Sequence, residues 1–175
     1  MFSVLRETVP VDALLKTYRG GLSPERWGGY GDCFSVTVDR AVNLGEFVFA
    51  FYTSRVFRIE RWLLRVFIGA RSSDQDAQGL ADGTKASFAA WYVGDRNATQ
   101  LLMCDRYERT RSWFRVVPVN GGTTVLQFGS AVAAAHGGGA AARPRGGGWR
   151  LVLRFHVLYS QVLLHAAKTR LMTMN

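Results

Sequence analysis

The chain has 175 residues, 48% hydrophobic and 13% aromatic, which is ample material for one core and far from the ring-poor composition of disordered segments. Its formal charge is +9 with a pI near 10.3; this suits an anionic partner, but the arginines are scattered, with no run of five or six like charges such as a basic tail carries. Cys33 and Cys104 stand alone, so neither a disulfide framework nor a cysteine metal site is expected, and both read as small buried thiols.

These limits predict a single domain over residues 1–175. Met1 to Pro10 has Arg6 and Glu7 where a signal peptide needs an apolar stretch. The most apolar region, Leu44 to Ile68, is broken by Glu46, Arg55, Arg58, Glu60, Arg61 and Arg65 and cannot span a bilayer. A cytoplasmic location follows as an expectation.

In chain order, VPVDALLKTYRG reads as a short helix stopped by Gly20-Gly21. In CFSVTVDR, Phe34, Val36 and Val38 alternate with Cys33, Ser35 and Thr37, the pattern of a half-buried strand. Asn43 is placed to cap a helix, with Glu46 three residues on to return the bond. Thr53 and Ser54 interrupt the period and can cap a second helix, RVFRIERWLLRVFIG, which Gly69 ends; Ser73 can cap a third, short one. From Ser87 the period becomes two: SFAAWYV, TQLLMCDRY, TRSWFRVVPV and TTVLQFGSAV, with short links, predict an antiparallel meander of about four strands. Residues 133–148, rich in Gly and Ala, read as a flexible loop. A last strand is expected over Trp149 to Leu153. Arg154 to Leu171 then forms a closing helix with an apolar face of Phe155, Leu158, Tyr159, Val162, Leu163 and Ala166.

A strand, two consecutive helices, hairpin-linked strands and a long C-terminal helix resemble the START-like superfamily, also called the Bet v 1, SRPBCC or polyketide-cyclase-like fold. The segments GEFVFAFYTSRVFRIERWLL, DRYERTRSWFRV, LQFGSAV and FHVLYSQVLLHAA look like those of an uncharacterised bacterial family within it. The likeness spans about residues 30 to 171 and carries no catalytic signature. It implies an α+β helix-grip fold, in which a curved antiparallel sheet wraps the C-terminal helix and encloses a cavity for apolar or amphipathic small molecules. Four strands after the helix pair are fewer than the full fold uses.

Glu60 falls between Val56, Leu63, Leu64 and Phe67, inside the apolar sector of its helix, where a carboxylate is costly unless paired. The two readings are an ion pair with Arg106 or Arg111, or a polar anchor in the cavity. Arg58, Arg61 and Arg65 form a stripe on the opposite side, read as a solvated face. Trp113 shares a strand parity with Arg111 and Arg115, so that an arginine can lie on the indole. His156 borders the closing helix's apolar face beside Tyr159; His165 is nine residues on and points the other way, and His136 lies in the loop, so no zinc site is legible.

The expected ligand-binding set is therefore Glu60, Trp91, Arg106, Arg111, Trp113, His156 and Tyr159. No motif calls for a cofactor. The leading expectation is a domain that binds a hydrophobic or amphipathic small molecule. A cyclase- or hydrolase-like enzyme using Glu60 and His156 comes second, and a nucleic-acid or anion module acting through surface arginines third. Oligomeric state has no signature in the sequence.

Overall fold

The computed structural model describes residues 4–17, 30–107, 109–132 and 147–174. Its elements are β1 (Leu5–Glu7), α1 (Leu14–Thr17), β2 (Tyr30–Val38), α2 (Leu44–Tyr52), α3 (Arg55–Ile68), α4 (Asp74–Ala81), β3 (Ser87–Phe88), β4 (Trp91–Arg96), β5 (Gln100–Asp105), β6 (Thr110–Pro118), β7 (Thr124–Val132) and α5 (Gly147–Thr173). Among the described residues, no helix is long and apolar enough to cross a membrane.

Local chemistry sets the helix ends where the sequence puts them. Asn43 accepts the Glu46 N–H through Oδ1, and Glu46 Oε2 accepts the Asn43 N–H, both at 2.9 Å, a reciprocal capping box that opens α2. Ser54 accepts the Phe57 N–H at 3.2 Å to open α3, and Gly69 closes that helix at φ 68°, a left-handed conformation that glycine adopts without steric cost. Ser73 and Asp76 form a second capping box at the start of α4. The Arg96 guanidinium donates to the carbonyls of Leu80 and Ala81, each at 2.5 Å, a cation at the negative end of α4.

The seven strands form one open antiparallel sheet in the order β1-β2-β7-β6-β5-β4-β3. β2 lies along β7 for nine residues, from Tyr30 opposite Val132 to Val38 opposite Thr124. Five strands, not four, follow the helices: SFAAWYV divides into β3 and β4 around Ala89, which takes a positive φ of 51° and turns the chain. β1 is too short at three residues to register as a period. The strand expected at Trp149 to Leu153 is instead helical, because α5 begins at Gly147; β7 is already paired on both sides, by β2 and β6. Gly147 and Gly148 thus leave the predicted loop, whose other residues, His136 among them, lie outside the described ones.

Both sheet faces are covered. On one, Phe34, Phe114, Phe128, Leu101, Met103 and Leu126 pack against α2, α4 and α5, the rings of Phe51 and Phe114 meeting edge-on at 4.8 Å. On the other, Trp113, Leu102, Cys104, Cys33 and Ala131 pack beneath Ala13, Leu14 and Leu15 of the α1 segment. Both cysteines are the free, buried thiols expected, and burial pushes the Cys33 thiol up to about 12. The α1 cover is fastened by Gln100, whose Oε1 accepts from the Trp113 indole at 2.8 Å and from the Leu14 N–H at 3.0 Å.

Gly129 of β7 sits where its strand neighbours leave no room for a side chain. A Cβ there would lie 2.8 Å from the Asp32 carbonyl oxygen and 3.0 Å from the Trp113 ring, and the former is backbone that cannot yield cheaply. Gly129→Ala is therefore expected to cost about 1–3 kcal/mol, seen as a lower urea midpoint at unchanged slope. An unshifted midpoint would show that the packing is looser than described.

Candidate functional site

The C-terminal end of α2, the first two turns of α3 and the middle of α5 converge over one end of the β6–β7 pair and leave a cavity of about 190 Å³. Its wall is largely aromatic: Phe51 and Tyr52 from α2, Phe57 from α3, Trp91 from β4 and Phe128 from β7, with Leu163 of α5. These side chains belong to the main core, where Tyr52 stands 4.8 Å from Phe57 and Phe57 stands 6.4 Å from Trp91 between ring centroids. Polar groups enter at Glu60, Ser112, Ser130, His156, Tyr159 and Ser160.

Two hydrogen-bonded clusters organise that polar side. In the first, the Tyr159 hydroxyl donates to Glu60, bridging α5 to α3. Burial pushes the Glu60 carboxyl above the usual glutamate range and outweighs the Tyr159 bond, which acts the other way. Burial, then the neighbouring Glu60 carboxylate, likewise hold the Tyr159 phenol protonated well beyond its ordinary range.

The second cluster joins Asp32, Ser130 and His156. Asp32 is 2% exposed; its Oδ1 accepts the Ser130 N–H at 3.1 Å and lies 2.7 Å from Ser130 Oγ, which in turn is 2.6 Å from His156 Nε2. Asp32 Oδ2 lies 3.8 Å from the same nitrogen. The Ser130 hydroxyl donates its single proton to Asp32 Oδ1. Nε2 of His156 must then carry the proton that it gives to Ser130 Oγ. The histidine is thus a donor to the serine, the reverse of a base that activates a nucleophile.

Of the residues expected at the site, the structure brings Glu60, Trp91, Arg111, His156 and Tyr159 to one cavity. Trp113 is a correction: strand alternation puts it on the opposite sheet face, fully buried under α1 and bound to Gln100. Arg106 is a second correction, because it is exposed in the link between β5 and β6. In that link Asp105 accepts the N–H groups of Arg109 at 2.6 Å and Thr110 at 2.7 Å, so it shapes the turn. Arg111 lines the cavity and is 2% exposed, yet it shares the strand parity of Trp113, opposite Cys104 of β5. Glu60 takes its hydrogen bond from Tyr159 rather than from Arg106 or Arg111.

The buried face of α5 also differs from expectation. Ser160, Leu163, Leu164, Ala167 and Leu171 are buried, whereas Leu158 is 57% exposed and Tyr159 38%. The inward face is rotated by roughly a third of a turn from the predicted one. Ser160 and Ala167 are small enough to let the helix settle closely against α2 and β2. Asp32 and Ser130 were missed altogether. A signal existed: each has the parity of an inward phenylalanine two residues away, Phe34 and Phe128.

No protein-family model and no curated protein matches this chain. Among solved structures it is similar to a conserved protein of unknown function, EF2215 from Enterococcus faecalis, at 9% identity and a TM-score of 0.41, covering 82% of this chain and 72% of that one. It is also similar to CalU16 from Micromonospora echinospora, at 14% identity and a TM-score of 0.33, covering 81% and 83%.

The Glu60 environment makes a signed prediction. A carboxyl whose folded pKa is raised contributes stability that is fully present below the unfolded value, about 4.3 for glutamate, and lost as pH rises through the folded value. Glu60→Gln, which can still accept from Tyr159, is expected to unfold at the same temperature as the parent at pH values below that, and at a higher one near neutrality. A variant less stable than the parent at neutral pH would mean that ionised Glu60 is stabilised by a cation.

Proposed function

We propose that this chain is a small-molecule-binding domain of the helix-grip, START-like kind, with its ligand held between the sheet and α5. The carrying observation is that one cavity combines an aromatic wall with hydrogen-bonding groups gathered on one side, from Glu60 and Tyr159 to His156 and Ser130. That combination suits an amphipathic ligand, whose apolar body is desolvated by the rings while its polar end is fixed in orientation. The element order and the open sheet carrying a long terminal helix support the fold reading.

Volume narrows the ligand. About 190 Å³ lies below the roughly 300–1,000 Å³ of cavities that hold drug-sized molecules. A compound of one or two rings with a hydroxyl or amide fits this better than a two-chain lipid. A second reading, general acid–base chemistry on such a compound, is favoured by Glu60, whose raised pKa suits proton transfer, beside the same cavity. The proton arrangement at Ser130 argues against a hydrolase with that serine as nucleophile.

Native mass spectrometry of freshly purified protein and titration with naphthol test the binding reading together. Saturable naphthol binding is expected, weakened about tenfold or more by Ser112→Phe, which places a ring in the cavity from a half-buried position on its wall. Absence of any bound compound by both methods, or an affinity indifferent to Ser112→Phe, would overturn it.

A further inference from the structure

The outward side of α3 has no use in the cavity, and its chemistry is unusual for a solvent face. Ile59, Trp62, Leu63, Val66 and Phe67 follow the i, i+3, i+4, i+7, i+8 spacing that ordinarily marks a core-facing stripe. Here the helix turns Phe57 and Leu64 inward instead, and the stripe points away: Trp62 is 61% exposed, Ile59 62% and Phe67 77%. The apolar sector in which the sequence placed Glu60 is thus divided, one edge on the cavity and the rest outside.

Along one flank of this stripe run Arg58, Arg61 and Arg65, which line a surface notch with Trp62, Ser72 and Asp74. Asp74 bonds to Arg58, and to Arg61 at 2.6 Å, so these two are fixed in place and partly neutralised. Arg55 and Arg65 are exposed. Between residues 55 and 71 there are five arginines and one carboxylate, Glu60, which is turned to the cavity. A strongly amphipathic helix of low overall hydrophobicity, with tryptophan and phenylalanine on one side and arginine beside them, has the features of helices that lie in a bilayer interface.

We propose that the outer face of α3 docks on an anionic lipid surface, lying parallel to it. Phe67, Val66 and Ile59 enter the acyl boundary, Trp62 sits at headgroup level, and the exposed Arg55 and Arg65 meet the phosphates, while Asp74 holds Arg58 and Arg61. A second copy of the chain is the competing occupant of an exposed apolar stripe. A twofold contact through the same surface would bring a second set of arginines to the first, whereas an anionic bilayer offers opposite charge. The inference is independent of any ligand in the cavity.

Flotation with vesicles tests it, comparing pure phosphatidylcholine with phosphatidylcholine carrying phosphatidylglycerol. The chain is expected to partition onto the anionic vesicles, to do so less at high salt, and to bind neutral vesicles weakly. Arg65→Glu should lower partitioning at least about fivefold, the worth of one basic residue near such a surface. Trp62→Ser/Phe67→Ser should abolish it at an unchanged melting temperature, as befits exposed positions. Val119→Ser, at an exposed apolar residue between β6 and β7, and Ser112→Phe, in the cavity, should bind like the parent. Failure to float with anionic vesicles, or flotation unaffected by the Trp62 and Phe67 changes, would refute the proposal. So would a dimer in light scattering that the same double substitution dissolves, because it would give the stripe to a second copy.

Discussion

The structure depends above all on the pairing of β2 with β7. These strands are joined register by register over nine residues although some ninety residues separate them in sequence, and the loop-closure entropy of that contact is met only when the sheet's two faces are buried together. Every inward layer follows from it. Phe34 lies opposite Phe128, which lies opposite Phe114, and α2 places Phe51 against the last two at 4.8 Å each. Two residues along, the same register lays Asp32 opposite Ser130 opposite Ser112, so the aromatic layer gives way to a polar one within a single side-chain repeat.

That succession explains why the cavity lies where it does. Rings fill the middle of the sheet, while small polar side chains cannot fill its β6–β7 end, and the bulk above them must come from α3 and α5. Those two helices meet through Tyr159 and Glu60, with His156 seated on Ser130 one turn earlier. A hydroxyl and a carboxyl close the space where a leucine pair would have sealed it. On the proposed reading, this is how one side of an apolar core acquires a site without losing the core.

Much of the fold was legible because its signals are local. The Asn43–Glu46 capping box, the Ser54 and Ser73 caps and the Gly69 stop each lie within four residues of the helix they bound and occur as read, and Asp76 adds the return bond that makes Ser73 a second box. Alternation likewise marked β2 and the strands from β4 to β7. Short or interrupted elements were not legible: β1 is too brief for a period, and Ala89 divides a run that looks continuous. The site was half legible for a related reason. Both parities of β5 and β6 are apolar, Leu101, Met103 and Phe114 on one face and Leu102, Cys104 and Trp113 on the other, so period alone could not tell which face held the cavity. Trp113 was therefore assigned to the wrong side. Asp32 and Ser130 become partners only through a register set 98 residues apart.

The central claim is that the space beside these polar clusters is where a ligand resides. Amide chemical shifts of isotopically labelled protein, followed during saturation with naphthol, bear on it most directly. The account predicts changes grouped on Phe51, Trp91, Ser112, Ser130 and Leu163, which surround the cavity from five different elements of the chain. Changes confined to the α1 face around Trp113, or to the outer stripe of α3, would contradict it.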